Sequence, residues 1–257
     1  MGNPLDFTGR VVLVTGGTKG VGRGIADAFG QAGAEVIVCG RNEPEGELVG
    51  TYLACDVRDA EQVGGLVDEL VRRFGRLDVA VNNAGGSPFV DAATASPRFS
   101  ESIVGLNLLA PIHVAQAANR VMQQQDHGGS ILNIASLSGM RPSPGTAAYG
   151  AAKAGLINLT ATLAQEWAPK VRVNAVSAGL IRTELAHLHY GDEAGIARVA
   201  ATVPMGRMGT PSDVAAACLW LASPGAAYVS GANLALHGGG ERPEFLSAAT
   251  APQPSSS

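Results

Sequence analysis

A tyrosine and a lysine four residues apart, Tyr149 and Lys153, form the pair in this sequence best suited to move a proton. On a helix, residues at this spacing project from one face, so the ammonium would lie near the phenol. Tyrosine, with a pKa of about 10, is a poor base at neutral pH, but a neighbouring cation favours the phenolate. Lowering that pKa by about 3 units takes about 4 kcal/mol. The pair predicts acid–base chemistry, with a surface tyrosine beside a solvated lysine as the alternative.

A glycine-rich turn follows the first apolar run, in the order Thr15-Gly16-Gly17-Thr18-Lys19-Gly20-Val21-Gly22. Glycines let the backbone pass close to a pyrophosphate that sits on a helix N-terminus. The spacing differs from the GxGxxG of the commoner dinucleotide fingerprint. Taken alone, the turn is compatible with nucleotide binding and with a simple tight turn.

Short apolar runs alternate with stretches of helical periodicity from Arg10 to about Leu236, which predicts βαβ units and a parallel sheet. Ala60–Phe74 shows the helical pattern most clearly, and a further helix opens at Tyr149. The predicted strands are Val11–Thr15, Glu35–Cys39, Thr51–Cys55, Leu77–Asn82, Ser130–Ser136, Val171–Ser177 and Asn233–Leu236.

Seven strands with helical crossovers predict an α/β fold, a Rossmann-like doubly wound seven-stranded parallel sheet in a single domain over residues 1–240. Such sheets bind ligands beyond the carboxyl ends of their strands, so chemistry is expected directly after each run. Residues 241–257, rich in Pro, Ser and Ala, predict a flexible tail.

Composition narrows the function classes. Apolar residues make up 46% and charged residues 16% of the 257 residues, which suits a large buried core. A net charge of −4 without basic clusters predicts neither a nucleic-acid partner nor membrane attachment. Asp6 precedes the first apolar run, which is not the order of a signal peptide, so a cytoplasmic location is expected.

The potential metal ligands show no metal-binding spacing, and no metal is expected. The three cysteines are predicted to be buried reduced thiols. They are Cys39, Cys55 and Cys218. The histidine pair His187 and His189 is predicted to be solvent-exposed in a variable loop.

Several strands end in polar motifs whose order in the chain is distinctive. They are Asp56-Val57, Asn82-Asn83-Ala84-Gly85, Asn133-Ile134-Ala135-Ser136 and Arg172-Val173-Asn174-Ala175-Val176. Together with the glycine turn and Tyr149-x-x-x-Lys153, this pattern resembles the short-chain dehydrogenase/reductase family, in its single-domain form of about 250 residues. The resemblance covers residues from about 10 to 240 and implies the fold and the reaction class, but not the substrate.

The resemblance implies four catalytic residues. Tyr149 would give a proton to a carbonyl oxygen during reduction and accept it during oxidation, and Ser136 would hydrogen-bond the same oxygen. Lys153 would assist the phenol, together with the positive charge of oxidised nicotinamide, and grip the nicotinamide ribose. Asn107, in Gly105-Leu106-Asn107-Leu108, matches the asparagine that shapes a water-mediated proton relay behind the lysine.

Cofactor contacts follow from the same resemblance. Asp56 and Val57 would frame the adenine, and Ile181 and Thr183 would meet the carboxamide or pyrophosphate. The expected cofactor-binding residues are Gly16, Thr18, Lys19, Gly20, Val21, Arg41, Asp56, Val57, Asn83, Ala84, Gly85, Tyr149, Lys153, Gly179, Ile181 and Thr183.

NADP(H) is expected as cofactor, with NAD(H) as the lesser choice. An acidic residue that would bind the ribose 2′-hydroxyl of NAD is missing after the second strand, where Arg41 stands instead. Arg41 and Lys19 offer cations suited to a 2′-phosphate. Glu43 or Glu45 could still replace the missing acid.

The chain departs from the family pattern in three places. Ala178 stands where the family usually has Pro, which loosens that turn, and His237 replaces an Asp that commonly precedes the glycines. The stretch 41–56 is short for a crossover helix, so the adenine side is expected to be open.

The function expected is oxidoreduction of a ketone or secondary alcohol, such as a 3-oxoacyl thioester, a steroid or another apolar carbonyl. The alternatives are a catalytically silent NAD(P)-sensing protein and an NAD-preferring alcohol dehydrogenase. Residues 184–205 are expected to cover the substrate, with Leu185, Leu188, Tyr190, Ile196 and Val199 favouring an apolar ligand. The helix from Tyr149 and the one before it are expected to build a homotetramer or homodimer.

Overall fold

The computed structural model, which describes residues 3–44 and 46–241, contains one parallel sheet of seven strands in the order β3-β2-β1-β4-β5-β6-β7. This confirms the Rossmann-like prediction. The strands are β1 Val11–Thr15, β2 Glu35–Gly40, β3 Thr51–Ala54, β4 Val79–Asn82, β5 Gly129–Ser136, β6 Val171–Ala178 and β7 Asn233–Leu236.

Strand β4 begins two residues later than predicted because the backbone of Leu77 is already engaged. The Gln125 side chain accepts from Leu77 N–H and donates to Leu77 C=O, each at 2.9 Å. Leu77 is fully buried but does not join the strand ladder. The other predicted strand ends differ from the structure by at most one residue.

Helices cover both faces of the sheet because the buried strands present apolar side chains on both sides. Leu13 of β1 packs into a core with α2, α4 and α5, whereas Val12 and Val14 face a second core with α1 and α8. The helices are α1 Gly20–Gln31, α2 Ala60–Phe74, α3 Pro97–Val104, α4 Ala110–Met122, α5 Ala147–Trp167, α6 His187–Tyr190, α7 Glu193–Thr202 and α8 Pro211–Ala222.

Strand order fixes where a ligand can bind. The chain passes from β1 to β2 in one direction and places β4 on the other side of β1, so a crevice opens beyond the carboxyl end of β1. No helix separates β2 from β3 in the described part of that connection, residues 41–44 and 46–50. In the described part of this connection, the edge of the sheet at β2 and β3 is therefore not covered by a crossover helix.

A buried chain of polar side chains connects β4, β5 and α5. Asn82 Nδ2 donates to Asn133 Oδ1 at 2.8 Å, and Asn133 Nδ2 donates to Thr160 Oγ1 at 2.9 Å. Asn82 Nδ2 also donates to Pro111 O at the start of α4, at 3.2 Å. Buried polar groups are costly when unpaired, so these bonds favour one register of α5 against the sheet.

The three cysteines are buried and form no disulfide bonds with one another, as predicted. None of the helices that the structure describes is long and apolar enough to cross a membrane. Of the predicted tail, Glu241 is described and pairs with Arg141, while residues 242–257 lie outside the described residues.

Candidate active site

One cavity of about 1010 Å³ lies at the carboxyl edge of the sheet, beyond β1, β2, β4 and β5. Every residue predicted to bind the cofactor lines it, and so do Ser136, Tyr149 and Lys153. Asn107 does not line this cavity. The structure thus gathers predicted residues from distant parts of the chain at one surface.

The glycine turn is tied to the loop after β4. Thr15 Oγ1 accepts from the backbone N–H of Asn83 and of Ala84, each at 3.0 Å. Asn83 Nδ2 donates to Thr15 O at 2.9 Å, and a Cβ on Gly22 would lie only 2.3 Å from the same Nδ2 atom. The turn therefore has room for backbone alone, which is the cradle that a pyrophosphate requires.

Tyr149 and Lys153 lie on the first turns of α5, and Lys153 Nζ is 5.6 Å from the centroid of the Tyr149 ring. Lys153 is 3% exposed, and its Nζ donates to Ile134 O in β5 at 2.8 Å. The helix can approach β5 this closely because Gly139 has no side chain. A Cβ there would lie 2.6 Å from the Lys153 carbonyl carbon.

Burial sets the protonation behaviour of the pair. Burial raises the pKa of Tyr149, while the Ser136 hydroxyl acts in the opposite direction as a hydrogen-bonding neighbour. Burial also lowers the pKa of Lys153 to about 8, because the charged ammonium loses solvation. The lowered phenol pKa expected from sequence is therefore not produced by these side chains alone, since burial outweighs the neighbouring groups.

Asn107 sits in a π-helical turn, Gly105–Leu109, between α3 and α4, and is fully buried. Its Oδ1 accepts from Gly86 N–H and its Nδ2 donates to Gly86 O, both at 2.9 Å. A Cβ on Gly85 would lie 2.6 Å from Asn107 Oδ1 and 3.3 Å from Lys153 Nζ. Asn107 Oδ1 and Lys153 Nζ therefore lie on the same side of the Gly85 backbone, close to one another.

Ser136 closes β5 and begins a short 3₁₀ turn, Leu137–Gly139. Its Oγ accepts from Ser138 N–H at 3.1 Å, which fixes the hydroxyl at the carboxyl end of the strand. Ser136 and Tyr149 both face the cavity, so one polar atom there can meet both hydroxyl groups.

The end of the cavity beyond β2 and β3 carries several charged groups. The Arg58 guanidinium pairs with Asp56, and this hydrogen bond holds the Asp56 pKa below its usual value. Arg41 is exposed, lies near enough to lower the same pKa further, and lines the cavity with Lys19. Glu43 lines the cavity too, whereas Glu45 lies outside the described residues.

The segment after β6 holds its shape without the proline that Ala178 replaces. Arg182 N–H donates to Gly209 O at 2.8 Å, and Gly209 N–H donates to Leu180 O at 2.9 Å. This bridge supports Ile181 and Thr183 on the cavity wall. His237 Nδ1 is buried and has no hydrogen-bond partner in the described part of the chain.

The region expected to cover the substrate divides into two parts. Leu185 and Tyr190 line the cavity, and Leu188 is 68% exposed. Ile196 and Val199 do not line this cavity and pack in a small apolar cluster with Ala186 and Met208, so their contact with a substrate stays a prediction. Helical periodicity placed them on an apolar face, and the structure uses that face internally. His187 and His189 are exposed, as predicted.

Two residues that shape the site, Thr15 and Glu184, are not among the residues predicted from sequence. Thr15 ends an apolar strand, where a hydroxyl group suggests a polar partner. Glu184 begins the segment that is expected to cover the substrate. Its Oε1 accepts from Gly20 N–H at 2.9 Å, across 164 residues of sequence, which no local pattern could indicate.

Known proteins resemble this chain along most of its length. A family model described as "Enoyl-(Acyl carrier protein) reductase" matches residues 16–241. The L-fucose dehydrogenase of Bos taurus is 39% identical over 248 residues, covering 91% of this chain and 90% of that protein. The 3alpha-hydroxysteroid dehydrogenase of Mediterraneibacter gnavus is 35% identical over 244 residues, covering 89% of this chain and 96% of that protein.

A solved structure gives the same result for the fold. Ligand-free aldohexose dehydrogenase from Thermoplasma acidophilum matches with a TM-score of 0.88 at 32% identity. The match covers 97% of this chain and 99% of that chain. The names of these proteins differ in substrate but agree on oxidoreduction.

Gly85→Ala tests whether the close approach of the Gly85 backbone to Asn107 and Lys153 is needed for activity. The added methyl group would press on Asn107 Oδ1 and Lys153 Nζ, so turnover should fall about 10-fold or more while the fold persists. Turnover and circular dichroism of the purified variant give the measurement.

The matched control is Gly64→Ala on α2, where a Cβ meets nothing within 4 Å. That change should leave turnover intact and stabilise the helix by about 0.5–1 kcal/mol. Parent-like turnover in Gly85→Ala would show that the contact does not constrain the site.

Proposed function

Because the chain belongs to the short-chain dehydrogenase/reductase family, we propose that it transfers a hydride between NADP(H) and a ketone or secondary alcohol. The family places it among oxidoreductases that act on a CH–OH group with an NAD(P) cofactor. The proposal concerns the preferred nucleotide, the substrate class and the roles of individual residues.

One observation carries the proposal: Ser136, Tyr149 and the buried Lys153 meet at the cavity that also contains the glycine turn. A protein that only sensed nucleotide would have no chemical need for a proton donor beside the nicotinamide end of the cavity. The buried lysine gives the strongest support, because a charge is costly to bury unless it is used or paired.

Tyr149 is the proposed acid in reduction and base in oxidation. Its raised pKa keeps the phenol protonated at neutral pH, which suits proton donation to a carbonyl oxygen. Ser136 is proposed to donate a hydrogen bond to the same oxygen, where negative charge develops. Lys153 and Asn107 are proposed to resupply the proton through water, and Lys153 also to hold the nicotinamide ribose.

The residues present fit a dinucleotide. The narrow turn at Gly22 leaves space for backbone against a pyrophosphate, and the cavity extends from Arg41 to Tyr149. Ile181 and Thr183 are proposed to hold the carboxamide, and Asp56 and Val57 to frame the adenine. When bound, the nicotinamide supplies or accepts the hydride.

NADP(H) is the proposed cofactor because two cations, Lys19 and Arg41, line the cavity near the end of β2. The residue that directly follows β2 is Arg41 and not an acid. Arg41 is exposed on the cavity wall and forms no salt bridge with another described residue, and Lys19 is exposed in the glycine turn. A guanidinium matches the fork of a phosphate. Glu43, on the same wall, is the group that favours NAD(H) as the second candidate.

An apolar or amphipathic carbonyl compound is the proposed substrate class, such as a steroid or a 3-oxoacyl thioester. Leu185 lines the cavity, and Leu188 is an exposed apolar side chain on α6, which also carries the cavity residues His189 and Tyr190; both leucines support this choice. Relatives named for L-fucose and for a 3alpha-hydroxysteroid make sugars and steroids the first compounds to compare. Turnover of such a panel with NADPH tests the class.

A homodimer or homotetramer built on α4 and α5 is proposed as well. Leu109, which precedes α4, is 46% exposed, and Ala151 and Ala154 of α5 are exposed small residues. Such a face permits close packing of helices across a two-fold axis.

Tyr149→Phe removes the proposed proton donor and keeps the ring. Turnover should fall about 100-fold or more with little change in nucleotide affinity, because the phenol acts only on the reacting oxygen. Steady-state kcat on a substrate from the panel, with NADPH binding by fluorescence, gives both quantities.

Tyr228→Phe is the matched control, since Tyr228 is fully exposed and outside the cavity. It should keep parent activity. Near-normal turnover in Tyr149→Phe would overturn the assignment of the acid.

Arg41→Asp tests the nucleotide preference. The carboxylate would repel a 2′-phosphate and can accept from a 2′-hydroxyl, so kcat/KM should fall about 10- to 100-fold with NADPH and hold or rise with NADH. Both constants are measured on one ketone for parent and variant.

Arg72→Asp, a charge reversal on the exposed side of α2, should leave the ratio of the two constants unchanged. A parent enzyme that prefers NADH would show that Glu43 or another group replaces the missing acid.

Light scattering at micromolar concentration tests the assembly. We expect a mass two or four times the 26.1 kDa of one chain. A stable monomer under these conditions would refute the proposal that α4 and α5 form an interface.

A further inference from the structure

Glu184 lies at a point of the cavity where an acidic side chain conflicts with the proposed ligand. Its Oε1 accepts from the backbone N–H of Gly20, the first residue of α1, at 2.9 Å. The first turn of α1 contains no acidic residue, and Lys19 at the N-cap makes no side-chain capping bond. A carboxylate from a distant loop therefore satisfies this helix terminus.

The free N–H groups at a helix N-terminus attract anions, and a pyrophosphate in this fold sits on the terminus that follows the glycine turn. A carboxylate is the same kind of ligand for such a donor as a phosphate oxygen. The Glu184 carboxylate and a pyrophosphate cannot both accept from the Gly20 N–H, and two anions so close together would repel each other.

We infer that Glu184 is a built-in competitor of the dinucleotide pyrophosphate, which must leave Gly20 before the nucleotide binds fully. The inference rests on the proposed dinucleotide function of the cavity. Glu184 would therefore lower the affinity for nucleotide, and the conformation of the loop that carries Glu184 would depend on whether nucleotide is bound.

A second position is available to the Glu184 side chain. Glu184 also lines a second cavity of about 410 Å³, together with Arg182 and Glu193. Arg182 is already held by Glu193 at 2.9–3.0 Å, and its guanidinium has further donors for a second carboxylate. A rotation of Glu184 toward Arg182 exchanges one favourable partner for another.

Release of Glu184 affects the substrate side of the cavity. Leu185 is the next residue, and His189 and Tyr190 lie on α6 within the same short segment; all three line the cavity. His187 Nδ1 contacts Glu184 O at 3.0 Å, so the backbone at Glu184 is joined to α6. The substrate wall is thus mechanically connected to the group that the nucleotide displaces.

Glu184→Gln tests the inference, because it keeps the size and an acceptor oxygen but removes the charge. Dissociation constants for NADPH and for NADH should both fall about 2- to 10-fold, the scale of one carboxylate at a helix terminus. The two factors should be equal because the pyrophosphate is common to both nucleotides. KM for the nucleotide should fall likewise, without a rise in kcat.

Glu61→Gln is the control, because Glu61 is an exposed acid in the first turn of α2 and lines neither cavity. It should leave both dissociation constants at parent values. Glu184→Ala provides a second variant, which should tighten binding in the same direction, and thermal unfolding without nucleotide verifies that each variant is folded.

Unchanged or weaker binding in both folded Glu184 variants would overturn the inference while leaving the proposed function intact. An effect on NADPH alone would overturn it too, because that result would locate Glu184 at the 2′-phosphate. If the parent bound neither nucleotide, the proposed function itself would fail, and the inference with it.

Discussion

The buried hydrogen bonds from Asn82 through Asn133 to Thr160 are the constraint on which the site depends. They join the two central strands to the helix that carries Tyr149 and Lys153. Breaking one such bond leaves a buried polar group unpaired, at a cost of about 1–3 kcal/mol. Asn82 already uses its amide group for two acceptors, while its Oδ1 has no partner in the described structure. A shift of α5 along the sheet would therefore leave further buried polar atoms unpaired, in addition to Asn82 Oδ1.

The position of Lys153 follows from that register. With α5 fixed, its Nζ reaches Ile134 O in β5 and no solvent, and burial lowers the pKa of the ammonium to about 8. The same burial raises the pKa of Tyr149, so the two groups are each pushed toward their neutral forms. A site of this kind responds strongly to any new charge beside it, because the local dielectric constant is low.

The carboxyl edge combines rigid and replaceable contacts. Thr15 and Asn83 fix the glycine turn through three mutually supporting hydrogen bonds with the neighbouring loop. Glu184, by contrast, holds the start of α1 through one bond from an exposed side chain. Exposed charged contacts contribute little free energy and exchange readily. The strong contacts thus shape the cradle, and the weak contact lies where an incoming ligand has to compete.

Much of this protein could be predicted from sequence because the relevant signals are local. Alternating apolar runs gave seven strands with nearly correct limits, and the helix at Ala60–Phe74 has the predicted limits. Parallel strands bring their carboxyl ends to one edge, so motifs after different strands could be expected to meet. The spacing of Tyr149 and Lys153 placed both on one helical face, which the structure bears out.

Tertiary structure alone decided the contacts between residues that are far apart in the chain. The contact of Glu184 with Gly20 spans 164 residues, and a periodic pattern carries no information about such a pair. Ile196 and Val199 have the pattern of an apolar face, but whether a ligand or a small core covers that face depends on how α6 and α7 pack. The pKa directions of Tyr149 and Lys153 also needed the fold, because solvation depends on everything that surrounds a group and not on its neighbours in sequence.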